Sequence, residues 1–137
     1  MKNINLERIF KMNTIKIGNK TFEEWQEQWI EIGEYKNIDF SKYNKNIGIY
    51  KIILDKKVVY IGRATEYDNG GFRKRLSDYT RKSESARSYN SGKKLKQNIK
   101  NADIEIIIVG NDLAAVEITK RLEHLMIAIH WPKWNRN

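Results

Sequence analysis

The chain has 137 residues, the size of one globular domain, and 40% of them are hydrophobic, which is enough for a real core. The absence of cysteine excludes disulfides and thiolate metal sites, and with only two histidines we expect any catalytic metal to be bound by oxygen ligands. No apolar run approaches the roughly 18 residues of a membrane span, and the first residues lack the apolar core of a signal peptide. We therefore expect a cytoplasmic protein without a membrane partner.

The net charge of +9 is concentrated in the middle of the sequence. Between residues 63 and 100 there are 11 Lys and Arg residues and 4 Asp and Glu residues, an excess of seven positive charges. A focused basic segment is typical of proteins that bind a polyanion, whereas a lone charge run is usually a solubilising surface. We expect phosphate binding here, because the segment follows the motifs described below.

A capping box opens the first predicted helix, with Thr21 as the N-cap and Glu24 three residues later. Trp25 and Trp29 share one apolar face of a helix that we predict over residues 21–33. The simplest interpretation is that this face packs on the core of the protein. The alternative is a subunit interface, because exposed tryptophans are good anchors for such interfaces.

The later elements alternate between strands and helices. Residues 47–54 and 58–61 are rich in Ile, Val and Tyr and are separated by a short polar segment, which predicts a β-hairpin. Residues 104–109 form the most strand-like run of the chain. We predict helices over residues 72–80 and 113–130, the second from its stripe of Ile and Leu.

Together these elements predict a small α/β fold, with a three-stranded, mainly antiparallel sheet flanked by helices. We expect residues 1–46 to form an N-terminal helical appendage and residues 47–137 to form the main domain. A polar and basic insertion occupies about residues 81–100 of that domain.

Two short motifs lie where the predicted hairpin strands pair. Gly48-Ile49-Tyr50 is near the start of the first strand, and Tyr60-Ile61-Gly62 is near the end of the second, directly followed by Arg63. Antiparallel pairing brings those two ends together, and a glycine there leaves room for a ligand or for another backbone.

Further residues follow at set intervals. The predicted basic helix carries Arg75, with Tyr79 four residues later. The last helix carries Glu123, with Pro132 nine residues later and Asn135 three residues after that. In this order and spacing, the motifs resemble those of the GIY-YIG nuclease family, and the resemblance covers roughly two thirds of the chain.

The resemblance implies a GIY-YIG-like fold and a metal-dependent endonuclease that hydrolyses DNA and leaves a 5′-phosphate and a 3′-hydroxyl. It assigns Glu123 to one Mg²⁺ or Mn²⁺ ion, and it assigns Arg63 and Arg75 to the scissile phosphate. The catalytic residues that it implies are Tyr50, Tyr60, Arg63, Arg75, Glu123 and Asn135.

The two motif tyrosines are candidates for activating the attacking water. A phenol has a pKa near 10, so using its phenolate at pH 7 costs about 4 kcal/mol unless nearby cations favour the anion. A phenol that only orients the water avoids this cost. In line with the resemblance we expect Tyr50 to be the base and Tyr60 its helper, although the sequence does not separate them. Asn135 is expected to anchor the C-terminal segment, and Tyr79 and His130 are candidate supporting residues.

Each assignment has a plainer alternative, since a helix glutamate is usually solvated and a strand tyrosine usually packs. The function has alternatives too: a nuclease acting on RNA or branched DNA, or a non-catalytic DNA-binding module. One active site cuts one strand, so double-strand cleavage favours a homo-oligomer, with Trp25 and Trp29 as interface candidates. Contacts with the DNA backbone are expected from Arg73, Lys74, Arg81, Lys82, Arg87, Lys93, Lys94 and Lys96.

Overall fold

The computed structural model describes residues 5–80 and 95–136, and the structural statements below concern those residues. The protein has an α/β fold with two antiparallel sheets. The smaller sheet pairs β1 (Lys16–Ile17) with β2 (Lys20–Thr21). The larger sheet has the strand order β3-β6-β4-β5, with β3 at Ile30–Glu34, β4 at Ile47–Leu54, β5 at Lys57–Ala64 and β6 at Asp103–Gly110.

Helices cover both faces of the larger sheet. They are the N-terminal helix (Leu6–Asn13), the short helix (Phe22–Gln26), the arginine helix (Gly71–Ser77) and the C-terminal helix (Leu113–His130). Brief helical turns lie at Tyr35–Asn37, Phe40–Tyr43, Asp78–Thr80, 95–98, Ile99–Asn101 and Lys133–Asn135. In the part of the chain that the structure describes, no helix has the length and apolar character that a membrane span requires.

The hairpin of β4 and β5 confirms the predicted pairing of the two glycine–tyrosine motifs. Its turn consists of Asp55 and Lys56, which have φ angles of 51° and 65°. Two positive φ angles in a two-residue turn give the twist that antiparallel strands prefer. Tyr50 on β4 then lies opposite Gly62 on β5, so the two motifs meet across the strand pair.

The larger sheet has four strands rather than the three predicted, because residues predicted as helix form β3. The short helix begins at the predicted cap, where Glu24 N donates to Thr21 Oγ1 at 3.2 Å and Thr21 N donates to Glu24 Oε1 at 2.8 Å. It ends at Gln26, and β3 pairs antiparallel with β6. This pairing satisfies backbone groups along the edge of β6, and it prevails over the helical spacing of the apolar residues. The helix predicted over residues 21–33 is therefore wrong beyond its start, and residues 1–46 contribute a strand to the main sheet.

Apolar side chains fill both faces of the larger sheet. The face toward the C-terminal helix buries a cluster that also includes the short helix, with Phe22, Trp25, Ile49, Ile61, Ile107, Leu122 and Met126. The face toward the arginine helix buries a second cluster, which includes Tyr50, Ile52, Phe72, Leu76, Tyr79, Leu95 and Ile106. Each strand of the hairpin thus sends alternate side chains into a different core layer.

Trp25 belongs to the core. It is buried, and its indole Nε1 donates a hydrogen bond to Ile17 O at 2.8 Å. The interpretation of its helix face as a packing surface is confirmed, and Trp25 does not serve as the interface anchor considered from the sequence. Trp29 is half-buried against the same cluster, and the ammonium group of Lys51 lies 4.2 Å from the centroid of its ring.

Candidate active site

The two motif glycines allow close packing around the hairpin. A Cβ atom at Gly62 would overlap the ring and hydroxyl of Tyr50, which cross this position. A Cβ atom at Gly48 would overlap the carbonyl oxygen of Ile107 on the neighbouring strand β6. The space predicted from the glycines is therefore filled by a tyrosine ring at one position and by another backbone at the other.

Three tyrosines lie together on the face of the sheet that carries the arginine helix. The Tyr50 hydroxyl is 2.6 Å from that of Tyr79, and their rings meet edge to face with centroids 6.3 Å apart. The ring of Tyr60 is 6.4 Å from that of Tyr50. Tyr50 is only 1% exposed, whereas Tyr60 is half-buried. Tyr79 thus supports Tyr50 directly, and Tyr60 is the more accessible of the two motif phenols.

The arginine helix presents Arg75 to a glutamate that sequence reasoning missed. Arg75 Nη2 donates to Glu66 Oε2 at 2.7 Å, and the two side chains are 26% and 25% exposed. Thr65 N donates to the other carboxylate oxygen of Glu66 at 3.1 Å. Arg75 Nε is buried and makes no hydrogen bond within the described residues. The only sequence signal for Glu66 was an acidic residue in the turn that leads into a basic helix.

A second arginine–glutamate pair joins β5 to the C-terminal helix. Arg63 Nη1 donates to Glu123 Oε1 at 3.0 Å, and the side chains are 44% and 16% exposed. Burial raises the pKa of Glu123, and the charge and hydrogen bond of Arg63 oppose that rise, with a smaller contribution from Arg75. The Glu123 carboxylate therefore lies in the electrostatic range of both predicted phosphate-binding arginines. The structure brings together the residues that the sequence placed 60 positions apart.

Asn135 fastens the end of the chain to β5, which is an edge strand. Ile61 N donates to Asn135 Oδ1 at 2.8 Å, and Asn135 Nδ2 donates to Ile61 O at 2.9 Å. Trp131, with a φ of 48°, ends the C-terminal helix and turns the chain toward that strand. Asn135 has the anchoring position expected from the sequence, bonded to the middle residue of the Tyr60-Ile61-Gly62 motif.

His130 is the last residue of the C-terminal helix. Loss of hydration and the positive charge of Lys51 lower the pKa of His130 to about 4, although the residue as a whole remains exposed. With this lowered pKa the imidazole of His130 is neutral at pH 7. It lies two helical turns beyond Glu123 on the C-terminal helix.

The predicted DNA-contacting residues are only partly covered by the described ranges. On the arginine helix Arg73 is exposed and Lys74 is half-buried, and Lys96 is half-buried in the helical turn at 95–98. The remaining candidates lie outside the described residues, and they are Arg81, Lys82, Arg87, Lys93 and Lys94.

The chemistry of the site fits a metal that the protein holds with few ligands. Within residues 5–80 and 95–136, no three His, Cys, Asp or Glu side chains lie together as a metal cluster. Both carboxylate oxygens of Glu66 accept hydrogen bonds, from Thr65 and Arg75, whereas Glu123 accepts one from Arg63 at Oε1. The Oε2 atom of Glu123 is therefore the carboxylate oxygen suited to an ion. Mg²⁺ commonly binds one or two carboxylates together with substrate phosphate and water, so one partly buried carboxylate fits this ion.

Comparisons with protein-family models, with curated proteins and with solved structures found no match to this chain. The functional interpretation therefore rests on the motif residues and on their arrangement around β5. Along the end of β5 and the loop after it, Gly62 faces Tyr50, Arg63 pairs with Glu123, and Glu66 holds Arg75.

Proposed function

We propose that the protein is a metal-dependent endonuclease that hydrolyses DNA phosphodiester bonds and leaves a 5′-phosphate and a 3′-hydroxyl. The observation that carries this proposal is the 3.0 Å hydrogen bond from Arg63 to the mostly buried carboxylate of Glu123, directly after the Tyr60-Ile61-Gly62 motif on β5. Phosphodiester hydrolysis requires positive charge around the phosphoryl group, a positioned water and help for the leaving oxygen. These three requirements match the three kinds of side chain at the site.

The two arginines hold the scissile phosphate from different directions. Arg75 extends from the arginine helix and is oriented by Glu66, while Arg63 extends from β5 on the side of the C-terminal helix. A guanidinium group binds phosphate oxygens with a planar fork of donors, and the glutamates hold these forks in place before substrate arrives. Incoming phosphate competes with the glutamates for the arginine donors.

Glu123 is the residue that would hold Mg²⁺ or Mn²⁺, and its burial favours a partner that neutralises the carboxylate. When bound, such an ion stabilises the negative charge that develops on the phosphoryl and leaving oxygens. Because the protein offers one carboxylate here, we expect weak metal binding without DNA and stronger binding with it. Substrate phosphate would complete the set of ligands.

The tyrosines position the attacking water. A hydroxyl that is buried and bonded to Tyr79 is poorly placed to meet substrate, so the structure favours Tyr60 over Tyr50 for contact with the water. This changes the assignment expected from the sequence, in which Tyr50 was the base. Tyr50, held by Tyr79 and packed over Gly62, fixes the orientation of the Tyr60 ring.

Cleavage of supercoiled plasmid tests the proposal. The protein is incubated with plasmid in Mg²⁺ or in Mn²⁺, and nicked and linear products are separated on a gel. Nicked product is then offered to DNA ligase, which seals only a 5′-phosphate beside a 3′-hydroxyl. We expect metal-dependent nicking that ligase reverses.

Other results would redirect the assignment. Plasmid that is shifted on a gel but never cut would identify a non-catalytic DNA-binding module. If plasmid is neither shifted nor cut, the same assay is repeated with branched DNA and with structured RNA. Whichever of these is cleaved would then be assigned as the substrate in place of duplex DNA.

A further inference from the structure

A cavity of about 360 Å³ opens at one end of the larger sheet. We call it the end cavity. It lies where β4 begins and where β5 and β6 end, because β4 runs antiparallel to both neighbours. Segments before β4, after β5 and after β6 form its wall together with the arginine helix. Its polar lining residues are Asn44, Lys45, Tyr67, Asp68, Arg73 and Asn111.

The end cavity adjoins the proposed phosphate site through Glu66. The side chain of Glu66 holds Arg75, and its backbone carbonyl accepts hydrogen bonds from Asn69 N at 3.1 Å and from Gly71 N at 2.9 Å. The loop closed by these bonds carries Tyr67 directly after Glu66. The same short segment therefore orients the phosphate-binding arginine and shapes the wall of the cavity.

The rest of the wall is also tied to the arginine helix. Phe72 N donates to Asn46 O at 3.0 Å, which fixes the segment carrying Asn44 and Lys45 against the start of that helix. The guanidinium of Arg73 packs against Gly70 in the loop after β5, where a side chain would leave only 3.0 Å between its Cβ atom and Arg73 Nη2. The loop after β5, the segment before β4 and the arginine helix thus shape both the end cavity and the proposed phosphate site.

The lining has the chemistry of a nucleotide site. Lys45 and Arg73 are cations able to bind a phosphate, and Tyr67 offers an aromatic ring on which a base can stack. Asn44 and Asn111 offer amide groups, which pair with a base edge that presents both a donor and an acceptor. Adenine is the base that asparagine reads best in this way.

We propose that the end cavity binds the nucleotide next to the scissile phosphate and gives the enzyme a preference for adenine at that position. This inference rests on the proposed function. Lys45 and Arg73 bind the phosphate of that nucleotide, while Tyr67 and Asn111 contact its base. The base-reading residues lie on loops outside the phosphate site, so selectivity and hydrolysis are carried by different side chains.

A binding selection tests this inference separately from catalysis. Duplexes with a randomised segment are incubated with the protein in Ca²⁺, a hard oxygen-binding cation used here in place of Mg²⁺, and the retained DNA is sequenced. Wild type is compared with Tyr67→Ala, Asn111→Ala and the control Asn37→Ala, whose exposed side chain bonds to Glu34 away from the cavity. The same proteins are assayed for plasmid cleavage in Mg²⁺.

We expect wild type and the control to enrich adenine at one position by at least roughly fivefold, the lower limit for an amide–adenine pair. Tyr67→Ala and Asn111→Ala should lose this enrichment while they retain DNA binding. Absence of a positional preference, or a preference that both variants keep, overturns the inference even if the plasmid is cut. Enrichment that depends on Tyr67 and Asn111 without any cleavage rejects the proposed function, and it then supports only the adenine preference of the end cavity.

Discussion

The ion pair of Glu66 and Arg75 yields the sharpest energetic prediction. Its 2.7 Å hydrogen bond joins two side chains that are only about a quarter exposed. Hydrogen bonds to charged groups contribute about 1.5–3 kcal/mol, and partial exposure places this one near 1.5–2 kcal/mol. In Glu66→Gln one amide oxygen replaces two carboxylate acceptors, so either Thr65 N or Arg75 loses its partner. We expect the free energy of unfolding to fall by about 2 kcal/mol.

A double-mutant cycle with Glu66→Gln and Arg75→Gln measures this interaction. Urea denaturation can be followed by the fluorescence of the four tryptophans. We expect a coupling energy of about 1–1.5 kcal/mol. Each single variant leaves one charged side chain without its partner, whereas the double variant removes both charges. The matched control is Glu34→Gln, which breaks the exposed 3.8 Å pair with Lys36 and should cost less than about 0.5 kcal/mol. A coupling energy near zero, or equal costs for Glu66→Gln and Glu34→Gln, would refute the reasoning.

Variants at three further positions, Asn135, Gly62 and His130, test the contacts and the pKa shift described above. Asn135→Ala should lower the free energy of unfolding by about 2 kcal/mol, because two hydrogen bonds to Ile61 are lost. Asn135→Asp should be no more stable than Asn135→Ala, because its carboxylate faces the carbonyl oxygen of Ile61. Urea midpoints equal to that of wild type would contradict this. Gly62→Ala should cost about 1–3 kcal/mol, because the methyl group overlaps the ring of Tyr50; an unchanged thermal midpoint would count against that packing. As pH falls below 6.5, wild type should lose stability relative to His130→Gln, because the unfolded histidine takes up a proton first while the folded pKa is about 4; parallel pH curves would exclude this shift.

The sequence predicted those features that depend on local patterns. The hairpin followed from β-branched runs and a polar turn, and the C-terminal helix was predicted at the bounds observed, Leu113–His130. The cap at Thr21 was also confirmed. It could be predicted because it depends only on two residues that are three positions apart. The meeting of the two glycine–tyrosine motifs also followed, because antiparallel pairing brings the start of one strand to the end of the next.

Features that depend on distant partners were not predicted. The helical spacing of Trp25 and Trp29 suggested a longer helix, but both side chains reach the same cluster when the chain leaves the helix after Gln26. β3 then forms because β6 offers it a free edge, which the local sequence does not reveal. Glu66 was missed for the same reason, since its role depends on Arg75 at the next element.

The most direct test of the central claim compares two glutamates of the C-terminal helix in the plasmid assay. Glu123 is mostly buried beside Arg63, whereas Glu117 is exposed and pairs with Lys120 at 3.6 Å. Glu123→Gln should lower the rate of Mg²⁺-dependent nicking at least about 100-fold, because the amide binds the ion far more weakly than a carboxylate does. Glu117→Gln should cut at the wild-type rate. Equal nicking by wild type and Glu123→Gln would contradict a nuclease site at this carboxylate.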